Sequence, residues 1–125
     1  MRKRLIRALA RLGSLPYQEA YIMNGTASEY AIPEDITEEA ASLSAQALQN
    51  DHADLSNGQV DGLKRVLLFI RENGKKIFTN ERTESAKKLV LDNELWAALR
   101  DLSRDALREF DVDVDSMDFT HIDDL

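Results

Sequence analysis

From Leu95 to Phe110 the apolar residues recur at helical spacing, with Leu95, Trp96, Leu99, Leu102, Ala106 and Phe110 on one side. The pattern predicts an amphipathic helix of about 18 residues, whose apolar side must be covered by other elements. Asp92-Asn93 can interrupt a preceding helical stretch and cap this one. The preceding stretch starts near Thr83, where Thr83-Glu84-Ser85-Ala86 reads as a capped first turn. Any fold for this chain has to bury that stripe, and the rest of the sequence supplies more helices to do so.

At the other end Leu5, Ile6, Leu9 and Leu12 share a face, with Arg2, Arg4, Arg7 and Arg11 around the turn and Gly13 as the stop. Ser14-Leu15-Pro16 reads as an N-cap with proline in the first turn of a short helix through Tyr17, Ala20 and Tyr21, ending at Asn24-Gly25. The alternative is a small hairpin of Tyr21-Ile22-Met23 and Tyr30-Ala31-Ile32 around Asn24-Gly25. Pro33-Glu34-Asp35 opens the next helix, striped by Ile36, Ala40, Leu43, Ala47 and Leu48 and punctuated by Asn50-Asp51-His52. Ser56 caps another through Val60, Leu63, Val66, Leu67 and Ile70, predicted to end at Asn73-Gly74. Because Val66 to Ile70 is apolar almost all round, this helix is expected to be the most buried. Lys75 to Asn80 reads as a connector in which Ile77 and Phe78 cover the core. The predicted fold is all-α: an irregular antiparallel bundle of five or six helices over residues 1–110, with an acidic tail at 111–125 that can dock on it.

Composition narrows the classes. At 125 residues, 43% of them apolar, the chain is long enough for one real core and too apolar for wholesale disorder. It has no cysteine, hence no disulfide framework and no thiolate zinc site, which fits a reducing compartment. The longest apolar run, Val66-Leu67-Leu68-Phe69-Ile70, is too short to span a bilayer. Met1-Arg2-Lys3-Arg4 resembles the start of an export signal, but Arg7 and Arg11 break the apolar stretch that should follow. A soluble, cytoplasmic domain is expected.

The charge is strongly one-ended. Residues 1–100 carry 14 acids and 14 bases, so the formal net charge of −7 lies in the last 25, where nine acids face only Arg104 and Arg108. From Asp111 on, six carboxylates alternate with Val112, Val114, Met117, Phe119, Ile122 and Leu125. Concentrated charge of one sign implies a basic partner. Three readings of the tail are open: a solvated extension, docking of Val112, Val114, Phe119 and Ile122 with the acids outward, or an acidic ribbon facing a cationic groove with Phe119 or Met117 as anchor.

Specific chemistry finds little purchase. Asp111, Asp113 and Asp115 match the first three ligand positions of a calcium loop, but Ser116 stands where glycine is needed and Ile122 where a bidentate Glu should close it. His52 lies in a polar linker. His121 sits among carboxylates without a second histidine at helical spacing, so no metal site, cofactor site or catalytic residue is assigned. Arg2, Lys3, Arg4, Arg7 and Arg11 are expected to pair with the acidic C-terminal region or sit on a solvated face, rather than bind nucleic acid or a membrane.

The segments Leu15-Pro16-Tyr17-Gln18-Glu19-Ala20-Tyr21-Ile22-Met23-Asn24-Gly25-Thr26 and Glu29-Tyr30-Ala31-Ile32-Pro33-Glu34-Asp35 are similar in style to small, acidic, cysteine-free bacterial immunity proteins of toxin–immunity pairs. That resemblance implies stoichiometric binding of a cognate toxin, often a basic nuclease. The charge pattern independently suits a cationic partner, with Asp101, Asp105, Glu109, Asp111, Asp113, Asp115, Asp118 and Phe119 as candidate contacts. The expected class is therefore a non-enzymatic inhibitor. Its rivals are a nucleic-acid-mimicking regulator or adaptor of a DNA-binding protein, a small enzyme using scattered carboxylates such as Glu38, Glu39 or Glu94, and a protein self-associating through the Trp96 face.

Overall fold

Three of the described helices begin where a side chain takes up an unpaired backbone N–H. The computed structural model of the chain describes residues 2–23, 32–50, 52–78 and 86–116, and among them are six α-helices and no strand. After α1 (Arg2–Gly13) a single residue, Ser14, turns the chain into α2 (Leu15–Gln18). The Ser14 hydroxyl accepts the Tyr17 N–H at 3.1 Å, with Pro16 in the first turn. α2 widens into a π-helical turn over Glu19–Met23, so Tyr21-Ile22-Met23 is not a strand. The other parts of the hairpin alternative, Asn24-Gly25 and Tyr30-Ala31, lie outside the described residues.

α3 (Pro33–Asn50) opens at its proline with Glu34 and Asp35 in the first turn. α4 (Asn57–Phe78) opens on a reciprocal pair. Ser56 Oγ accepts the Gln59 N–H at 3.1 Å, and Gln59 Oε1 accepts the Ser56 N–H at 2.9 Å, a capping box that satisfies two end donors. α5 (Ala86–Asp92) precedes α6 (Glu94–Glu109), where Asn93 Oδ1 accepts the Trp96 N–H at 2.9 Å. The Thr83 start expected for α5 is outside the described residues.

α1 and α4 each pack on both α3 and α6, so the four long helices close a ring around one core, with α5 laid against α6 and the π-helical turn. Leu5, Leu9, Leu12, Leu43, Leu63, Val66, Trp96, Leu99 and Leu107 fill that core, each 3% exposed or less. α4 and α6 run antiparallel and close together. A Cβ on Gly62 would sit 3.1 Å from Ala106 Cα, and one on Gly58 would strike the Glu109 carboxylate. Small residues at those two positions are what let the two backbones approach.

Two expectations for α4 are corrected. The helix does not stop at Asn73-Gly74 but runs to Phe78, so residues 75–78 are helix rather than connector. Gly74 keeps a negative φ and is no left-handed terminator, and Ile77, 2% exposed, anchors the extra turn in the core. Nor is α4 the most buried helix. Five consecutive apolar residues sweep right round a helix, and α4 has neighbours on only part of its circumference, leaving Leu68 53% exposed. α1 takes that place, with Leu5, Ala8, Leu9, Ala10 and Leu12 all at 2% or less.

One polar side chain joins several of these elements. Gln18 is fully buried. Its Nε2 donates to Leu12 O at 2.7 Å and Arg11 O at 3.2 Å, satisfying carbonyls at the end of α1. Its Oε1 accepts from Trp96 Nε1 at 3.0 Å and from Arg100 at 2.8 Å. Arg100 also donates to Val90 O at 3.3 Å in α5. Burial lowers the Arg100 pKa, opposed in part by Asp101, but a guanidinium keeps its proton throughout the working pH range.

Replacing Gln18 with Met keeps its volume but strips partners from two donors and two carbonyls. Gln18→Met is expected to cost about 2–4 kcal/mol in urea unfolding, whereas Trp96→Phe, which leaves Gln18 bonded to Arg100, loses the indole N–H and some packing. Gly74 offers the opposite opportunity: nothing lies within 4 Å of where its Cβ would be. Gly74→Ala should raise unfolding stability by about 0.5–1 kcal/mol through helix propensity alone.

Candidate functional site

The outward side of α6 is the reverse of its apolar stripe. Trp96, Leu99, Ser103, Ala106 and Leu107 are buried, which turns Asp101, Asp105, Arg108 and Glu109 to solvent. Arg108 donates to Asp105 Oδ1 at 2.6 Å along this face. Glu109 lies against Gly58 in the first turn of α4, where a carboxylate suits the positive end of the helix dipole. Gln59, from the same turn, donates to Glu109 O at 3.0 Å.

α6 ends in a Schellman motif. The Val112 N–H bonds Leu107 O at 3.0 Å and the Asp111 N–H bonds Arg108 O at 3.0 Å, with Asp111 left-handed at φ 59°. Glycine is usual at that position; aspartate is among the few other residues that tolerate it. The turn throws the chain back over the bundle, where Val112 is half-buried and Val114 drops to 4% exposed. A short 3-10 turn follows over Val114–Ser116, and the Asp113 side chain accepts the Asp115 N–H at 3.1 Å.

Arg104 clasps this segment. Its NH1 donates to Gly13 O at 3.3 Å, at the end of α1, and to Asp115 Oδ1 at 2.8 Å, while NH2 donates to Asp115 Oδ2 at 2.5 Å. Such a fork-on-fork pair fixes direction as well as distance. Arg104, Arg108 and residues 111–115 line a shallow groove of about 460 Å³. The Arg104 guanidinium holds the Asp115 carboxyl below its ordinary value, chiefly through the hydrogen bond, and Asp115 raises Arg104 in turn.

Of the candidate contacts, Asp101, Asp105, Glu109, Asp111, Asp113 and Asp115 are all exposed around this end of the molecule. Asp118 and Phe119, with Met117, His121, Ile122 and Leu125, lie outside the described residues, as does the His52 side chain. The start of the tail is docked, with Val112 and Val114 against the core and Asp111, Asp113 and Asp115 exposed. Asp115, the third calcium-loop position, has both carboxylate oxygens bonded to Arg104. Sequence reasoning missed Arg104 as the organiser; the available signal was two lone bases inside an acidic stretch.

Other expectations land elsewhere. Lys3 and Arg4 are solvated as expected, and Arg11 meets Glu39 of α3 at 3.4 Å. Trp96 is 1% exposed and Leu99 and Ala106 are fully buried, so the centre of that stripe is core, while Leu95, Leu102 and Phe110 at its margins are partly buried. The scattered carboxylates do not share a pocket: Glu38 lines a groove between α3 and α4, Glu94 lines one beside Lys88, and Glu39 belongs to the Arg11 pair. Among the described residues no cluster of three metal-ligating side chains occurs, and no helix is long and apolar enough to cross a membrane.

The Arg104–Asp115 clasp gives a pH dependence with a definite sign. Because the folded pKa of Asp115 lies below its unfolded value of 3.8, its stabilisation is present above 3.8 and lost as pH falls through the lower, folded value. Protection of the Asp115 amide against hydrogen exchange, relative to its intrinsic rate at each pH, should therefore fall on acidification below about pH 4, and Asp115→Asn should show the lower protection already at neutral pH. The pair is exposed, so global stability should change little. Comparison of the chain with models of known families, with curated proteins and with solved structures finds no match.

Proposed function

We propose that the chain is a stoichiometric protein-binding inhibitor without catalytic activity of its own, and in its specific form an immunity protein that neutralises a basic cognate toxin in the cytoplasm. The observation that carries this reading is the way the acidic end is built. Six carboxylates, Asp101, Asp105, Glu109, Asp111, Asp113 and Asp115, stand exposed on a frame fixed by the Schellman turn, the Val114 plug and the Arg104 clasp. A surface already ordered before binding loses less conformational entropy on association than a flexible acidic tail would.

The mechanism follows from that frame. Unbalanced negative charge steers a cationic surface toward the end of α6 and raises the association rate. On contact, lysines and arginines of the partner exchange water for the outward carboxylates, while the exposed stems around Val112 offer modest apolar contact. A nuclease toxin fits because its substrate groove must be cationic to hold phosphates. Covering that groove blocks substrate with no chemistry required of the inhibitor.

Immobilised full-length protein should capture a basic protein from the native host's lysate, and the captured partner then allows a direct kinetic test. Changing Asp101, Asp105, Asp111 and Asp113 together to Asn should slow association about tenfold or more at low ionic strength. The difference should shrink as salt rises, and helicity by circular dichroism should be unchanged. An association rate equal to that of the wild type at low salt would remove the acidic end from the interface.

A further inference from the structure

The face formed by α3 and α4 carries a second, differently built surface. A groove of about 300 Å³ runs between the start of α3 and the last turns of α4. Glu34 and Glu38 stand on its α3 wall, Arg71 and Lys75 on its α4 wall, with Ile70 and Gly74 between them. Leu68, one helical turn before Arg71, is 53% exposed beside it, and Ile32 at the start of α3 is 41% exposed. Leu68 lies on the same stripe of α4 as Arg71 and Lys75, three and seven residues later, so it continues the groove's α4 wall as an exposed apolar side chain.

We infer that this face binds a second copy of the same chain, through a twofold axis lying along the groove. The charge arrangement selects that partner. A groove with acids on one wall and bases on the other is complementary to itself: rotation about its own length places the α3 wall of one copy over the α4 wall of the other. Glu34 and Glu38 of each copy then face Arg71 and Lys75 of its mate, and every pair occurs twice. Because α3 and α4 are antiparallel, residues three later than Glu38 stand level with residues three earlier than Arg71. Leu68 therefore falls over Ala41 and Ser42 of the second copy, two small residues that are half-buried and exposed respectively in one chain. A purely acidic or purely basic partner would meet repulsion from one wall.

The net charge of −7 does not forbid this pairing. The acidic end lies near Gly58, about 20 Å along α4 from Arg71 at 1.5 Å per residue, which exceeds the screening length at physiological salt. The dimer thus leaves the end of α6 open, and the two surfaces operate independently. With few apolar anchors the contact belongs to the small, reversible class of interfaces, so the dimer should be concentration-dependent.

Sedimentation equilibrium or light scattering on the full chain, over a concentration series, tests the assignment. The wild type should show a reversible monomer–dimer equilibrium, and Leu68→Glu should raise its dissociation constant about tenfold or more. Glu34→Lys/Glu38→Lys and Arg71→Glu/Lys75→Glu should each be monomeric alone. Mixed in equal amounts, they should form a heterodimer, because an all-basic groove then meets an all-acidic one. All four of these charged side chains are on the surface, and circular dichroism of each variant checks that it is folded. A wild type that stays monomeric throughout the series, a dimer that survives Leu68→Glu and both charge reversals, or a mixture that fails to pair would each overturn the inference.

Discussion

Gln18 is the point on which the arrangement of elements rests. A primary amide has two donors and two acceptor sites, and here they are shared between the end of α1, the indole of Trp96 and the guanidinium of Arg100. Gln18 and Trp96 are buried, so without the amide the indole N–H would lose this partner away from water, while Arg100 would be left with its bond to Val90 O. Because the bonds have direction, they also select one orientation of α6 relative to α1, which apolar packing alone fixes less sharply. The short α2, started by Ser14 immediately after α1, is what brings Gln18 back under the helix it caps.

The acidic end follows from that orientation. With Trp96 and Leu107 turned into the ring, Arg104 lies at the edge of the core, where it reaches both Gly13 O and Asp115. One guanidinium thus links the end of α1 to a segment beyond α6, and the left-handed Asp111 directs that segment toward it. The opposite end of α4 carries a groove of mixed sign between α3 and α4. Charge is therefore sorted twice over: net acid where a foreign cationic surface is proposed to bind, and balanced walls where a second copy is inferred.

The helices were largely readable because their signals are short. Pro33, Ser56 and Asn93 each act within three residues, through a fixed φ or a side chain accepting a nearby N–H, so their effect does not wait on the fold. The end of α4 was misread because Asn73-Gly74 is only a local suggestion of a stop, while the decisive contact, burial of Ile77, is made with distant residues. The run Val66 to Ile70 misled for a related reason. Apolar character says that a residue gains by burial, not that a neighbour will be there to cover it, and Leu68 stays half in water. At the acidic end the carboxylates were visible as composition, but their frame was not: Arg104 to Gly13 O spans 91 residues.

The sequence by itself determined the all-α class, the starts of the helices and the concentration of acid at one end, since these depend on periodicity, capping over three residues and charge. Only the tertiary structure decided that α1 rather than α4 is most buried, that the Trp96 indole N–H is bonded to Gln18, and that Val112 and Val114 pack on the core. Each of those outcomes depends on which side chains meet across the ring. A pattern of local preferences leaves that open, because the same stripes are compatible with several packings, whereas the bonds of Gln18 require one set of partners.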